Sequence, residues 1–88
     1  DKLEKTVALD IFPNPVSEVL NLRTNAQTTD TYDLQLFDQS GKQISNQRLM
    51  IPSGENVAPI NVANLPAGMY SLILSDGQNQ IIKKMLKL

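Results

Sequence analysis

The sequence predicts an all-β fold, an immunoglobulin-like antiparallel β-sandwich of six to seven strands. Three observations point there. Short runs rich in Val, Ile, Leu, Tyr and Phe recur at intervals of roughly 8 to 12 residues, the rhythm of sandwiches and barrels. Asn, Asp, Gly, Ser and Pro cluster between those runs, where the chain must turn. No stretch keeps the apolar period of an amphipathic helix. At 88 residues the chain has room for one core.

The first strand runs from Val7 to Phe12, with Val7, Leu9 and Ile11 on one face. Pro13-Asn14-Pro15 ends it, because proline donates no backbone hydrogen bond and restricts the residue ahead of it. The second run is Val19 to Arg23, followed by a polar stretch from Thr24 to Asp30. Tyr32, Leu34 and Leu36 then alternate with polar neighbours as a half-buried strand requires. Asp38-Gln39-Ser40-Gly41-Lys42 is a hairpin turn in which Gly41 supplies a positive φ. On the return strand, Gln43 to Ile51, the apolar residues Ile44, Leu49, Met50 and Ile51 break the period of two, which implies an edge position or a bulge.

Pro52-Ser53-Gly54 turns into a weaker strand, Glu55 to Val62, whose Pro59 is tolerated only at an edge or with its nitrogen facing water. Ile60 and Val62 share a face there. Leu65-Pro66-Ala67-Gly68 leads into Met69 to Ser75, where Tyr70, Leu72 and Leu74 point one way and Met69 and Ile73 the other; two apolar faces mark a central strand. An Asp-Gly hairpin signal at Ser75 to Gln78 pairs that strand with the last run, Gln80 to Leu88. Residues 1–7 read as the remnant of a linker to something upstream and 8–88 as the domain proper. The absence of an initiator Met at Asp1 suggests a piece of a longer protein, whose export stays open.

Composition removes several function classes. A net charge of -1 lacks the basic excess that drives nucleic-acid binding. No apolar run approaches the ~20 residues of a membrane-spanning helix. Without Cys there are no disulfides, thiolate metal sites or thiol nucleophiles, and without His the usual general base and commonest metal ligand are missing, so no enzyme activity and no cofactor are expected. Asp30, Asp33 and Asp38 read as solvated turn aspartates rather than calcium ligands. Phe12, Phe37, Tyr32 and Tyr70 read as core residues rather than a sugar-binding platform. The last eight residues, Ile81 to Leu88, hold three lysines and no acid; on physical grounds they suit an edge strand defended against aggregation, or a handle for a partner.

Four segments taken together carry a resemblance. Ile11-Phe12-Pro13-Asn14-Pro15 followed by Val19-Leu20-Asn21-Leu22, then Leu36 to Lys42, then Leu65-Pro66-Ala67-Gly68-Met69-Tyr70, then Lys84-Met85-Leu86-Lys87 resemble, in order and spacing, the C-terminal sorting domain of the type IX (Por) secretion system of Bacteroidetes. The resemblance implies a sandwich domain at the end of an exported protein, recognised by the outer-membrane translocon after passage to the periplasm. Family domains are then usually removed by a sortase-like protease, and the cargo is attached to the cell surface or released. Cleavage would fall near Asp1 to Ala8.

Carried over by position, the resemblance makes Pro13, Asn14 and Pro15 the exit of the first strand, Gly41 and Lys42 the hairpin, and Leu65, Gly68 and Tyr70 the approach to the strand before last. Lys83, Lys84, Met85, Leu86, Lys87 and Leu88 become the segment that the translocon recognises. The implied partners are that translocon, the processing machinery and the covalently linked cargo, with no nucleic acid; exposed edges leave room for a weak dimer. Met69 departs from the family's commoner β-branched residue, and Leu88 follows the lysine that often ends the family. The competing readings are a structural or adhesive Ig-like accessory module of a secreted protein and, third, a carbohydrate-binding module.

Overall fold

Alternation along each strand decides which side chains meet. In a computed structural model that describes residues 7–88, Val7 and Leu9 of β1 (Val7–Phe12) are buried, as are Leu20, Leu22, Thr24 and Ala26 of β2 (Val19–Ala26). Tyr32, Leu34 and Leu36 of β3 (Asp30–Asp38) face the same interior. So do Tyr70, Leu72 and Leu74 of β6 (Gly68–Ser75) and Ile81, Met85 and Lys87 of β7 (Gln80–Lys87). β4 (Gln43–Ile51) buries only Ile51, and β5 (Gly54–Asn61) turns Ala58 and Ile60 half inward.

The described residues form two antiparallel sheets, ordered β1-β2-β5 and β4-β3-β6-β7. Side chains of both sheets pack into one apolar cluster, in which Leu20, Leu22, Leu74, Met85, Val7 and Val16 are fully buried. This is the expected immunoglobulin-like sandwich, with seven strands among the described residues. β6 lies between β3 and β7, the central place its two apolar faces require. β4 is an edge strand and also carries a bulge. Leu36 pairs with Ser45 and Phe37 with Gln43, so Ile44 is the extra residue. β5 is the other sheet's edge, which accommodates Pro59.

Three expectations change. β2 runs on to Ala26 rather than stopping at Arg23, because Thr24 and Ala26 continue the inward face begun by Leu20 and Leu22. The boundary expected after residue 7 falls inside β1: Val7 is 1% exposed and pairs with Ala26, while the rest of the expected linker, 1–6, lies outside the described residues. Tyr32 and Tyr70 are core residues, but Phe12 and Phe37 are not. Tyr32, Leu34 and Leu36 take the inward positions of β3, which turns Phe37 outward, and Phe12 lies at the surface beneath the Arg23 guanidinium, 5.0 Å from its ring centre.

Candidate functional site

Register brings the scattered motifs to one end of the sandwich. β3 ends at Asp38, which pairs with Tyr70 near the start of β6; Gly68 in turn pairs with Lys87 at the end of β7. The segment after β1 reaches the same place, since Val16 forms a parallel bridge with Lys87. Val7, where β1 begins, lies at the opposite end, paired with Ala26.

Each motif has a local cause. At the β3–β4 hairpin, Asp38 Oδ1 accepts hydrogen bonds from the Ser40 amide (3.0 Å), the Ser40 hydroxyl (2.7 Å) and the Lys42 amide (2.9 Å). The Ser40 hydroxyl above all, then the Lys42 amide, holds this carboxyl below its ordinary value of 3.8. Gly41 closes the turn at φ +89°. The hairpin thus depends on Asp38 and Gly41, with Lys42 contributing its backbone. Asp76 does the same work in the β6–β7 turn, accepting from the Asn79 and Gln78 amides.

At the corner before β6, the Tyr70 hydroxyl donates to the Pro66 carbonyl at 2.6 Å while its ring is buried, the tyrosine-corner arrangement of immunoglobulin-like folds. Gly68, at φ +151°, makes the bend that puts Tyr70 there, and Leu65 is half-buried against the core.

Pro13, Asn14 and Pro15 do more than end β1. The Asn14 side-chain amide donates to the Lys84 carbonyl (3.2 Å), and its oxygen accepts from the Leu86 amide (2.9 Å). One step on, the Val16 amide donates to the Leu86 carbonyl and the Leu88 amide donates to the Val16 carbonyl, each at 2.9 Å. Two motifs some seventy residues apart therefore meet along β7. Sequence reasoning missed both this contact and the burial of Val16, which is 0% exposed. A polar residue between two prolines signals a turn, and its reach across the fold has no local signature.

The six residues expected as the recognised segment divide by face. Met85 is fully buried, Lys87 is 6% exposed with its Nζ donating to the Leu88 carbonyl, and Lys83 is half-buried on the same side. Lys84, Leu86 and Leu88 face outward, joined by Ile82, which is 51% exposed. On that outer face lies a shallow hollow of about 530 Å³ whose walls include Phe37, Met69, Ile73 and Lys84. Met69 is 41% exposed and pairs across the sheet with Leu86, and Ile73 pairs with Ile82. The outcome is an apolar surface with one lysine set into it. Among the described residues no three acidic side chains gather as metal ligands would.

The family described as secretion system C-terminal sorting domain matches residues 10–87. Among solved structures, the crystal structure of dimeric latent PorU from Porphyromonas gingivalis is similar, with a TM-score of 0.72 and 17% identity over 93% of this chain. That likeness shows the fold, and the chain spans 9% of the PorU chain. No curated protein matches.

Proposed function

This chain belongs to the family of secretion system C-terminal sorting domains, those of the type IX system, and from that premise we propose that the end of the sandwich where its motifs converge is the address read by the export machinery. As a sorting domain it marks a linked cargo for secretion or the cell surface. The observation that carries the proposal is the convergence. Pro13 to Pro15, the Gly41 hairpin, the Leu65 to Tyr70 corner and β7 lie far apart in sequence and build one surface at the end opposite Val7. A folded tag needs a stable body and an exposed element for a receptor, and no active site. The role is accordingly that of an address and not of a catalyst, with an outer-membrane translocon as receptor. A sortase-like protease would cut upstream of β1, on the cargo side.

The face division shapes the test. Deleting Lys83 to Leu88 removes the buried Met85 together with five of the eight residues of β7, so a loss of export on deletion would confound recognition with folding. The informative experiment fuses residues 1–88 to the C-terminus of a reporter carrying a signal peptide and follows its export from a type IX-competent bacterium, with and without the paired substitutions Lys84→Glu and Leu86→Ser. Export of the parent fusion and periplasmic retention of a folded double variant are expected. Equal export of both would move recognition away from this face, and retention of both would favour an Ig-like accessory module.

A further inference from the structure

Strand addition to an open edge is the usual way for an extended partner to bind a sheet. β7 is one edge of the four-stranded sheet, yet much of that edge is already occupied. In an antiparallel ladder, residues turn their backbone groups alternately toward and away from the neighbouring strand. The outward groups of β7 are those of the even-numbered residues, because the Lys84 carbonyl, both groups of Leu86 and the Leu88 amide bond to Asn14 and Val16 instead of to β6. Among the described residues, what no backbone or Asn14 group covers is Gln80 to Ile82 with the Lys84 amide, shorter than the ordinary strand of about five to six residues.

We propose that Asn14 is a positioning residue for recognition: with Val16 it closes the outer edge of β7 from Lys84 to Leu88, so that the export machinery docks on the outward side-chain face of Ile82, Lys84 and Leu86 instead of adding a strand. This rests on the sorting reading above and adds the mode of binding to it. The occupant that fits is an apolar segment of the machinery bearing a carboxylate opposite Lys84. Charge complementarity selects it, since the ion pairs of the described residues are Arg23–Asp10 and Arg48–Asp33, so that among those residues Lys84 has no acidic partner. Asp38, on the wall of the same hollow, has Oδ1 committed to its own turn. The surrounding Phe37, Met69 and Ile73 supply the apolar contact.

The test combines amide hydrogen exchange on the isolated domain with export of the reporter fusion. Asn14→Ala is expected to speed exchange at the Leu86 and Leu88 amides by about tenfold while Met85, whose amide faces β6, and the core amides of Leu22 and Leu74 stay protected. Export should fall several-fold in step. Asn14→Asp keeps the acceptor for the Leu86 amide and loses the donor to Lys84, so it should fall between Ala and the parent in both measurements; it also carries the test if the Ala variant does not fold. Lys84→Glu should leave exchange unchanged and still reduce export. Parent-level or improved export of Asn14→Ala despite a loosened edge would overturn the proposal, improved export meaning that the machinery reads an open strand. Failure of the parent fusion itself to be exported would sink the underlying sorting reading instead.

Discussion

Single side chains at the motif end act through hydrogen bonds whose loss can be measured. Tyr70→Phe removes the bond to the Pro66 carbonyl and keeps the buried ring, so urea denaturation should show a loss of about 0.5 to 1.5 kcal/mol with an unchanged slope. The turn aspartates give a pH dependence. Asp38 and Asp76 have carboxyls held below 3.8, Asp38 chiefly by the Ser40 hydroxyl and Asp76 chiefly by the Asn79 amide. A carboxyl depressed by folding stabilises the native state at any pH above its unfolded value, and that contribution disappears as pH falls through the folded value. The urea midpoint should therefore stay level from neutrality to about pH 5 and decline below pH 4. Asp38→Asn should lower the midpoint at neutral pH and flatten the acid decline. Asp33 and Arg48, 3.5 Å apart on the exposed face, offer a contrast: Asp33→Asn should change stability by less than about 1 kcal/mol.

At the scale of the element, β7 has two faces with different duties. Met85→Ala opens a cavity between the sheets and should cost about 2 to 5 kcal/mol, a large part of what so small a domain possesses. Leu86→Ser, one residue along, should cost far less, because Leu86 is 36% exposed. If the two substitutions were equally destabilising by chemical denaturation, the assignment of inward and outward faces would be wrong. The start of β6 depends on backbone conformation in a way that β7 does not. An added Cβ at Gly68 meets no atom within 4 Å, but φ +151° strains any other residue, so Gly68→Ala should cost about 1 to 3 kcal/mol through strain alone.

The whole molecule separates two ends. Val7 and the motif surface lie at opposite ends of β1, whose six residues span about 20 Å. A bulky cargo close to β1 would leave the far end accessible. Shortening the spacer between a folded reporter and residue 1 is thus expected to leave export unchanged, as judged by the fraction of reporter outside the cell; a steep dependence on spacer length would place the receptor contact near the cargo end.

Much of the architecture is written locally, since alternation of apolar residues along a strand is a property of neighbours. Tyr32, Leu34 and Leu36, the paired faces of Met69 to Ser75, and the turns at Asp38 to Lys42 and Ser75 to Gln78 are all legible that way, and they suffice for an all-β sandwich. The family motifs were legible too, as segments in order. Their convergence was not, because it follows from the pairing of strands far apart in sequence, which no local pattern encodes. The inward burial of Met85 and Lys87, the outward turn of Phe37 and the reach of Asn14 across to Lys84 and Leu86 were decided only when two sheets closed on one core.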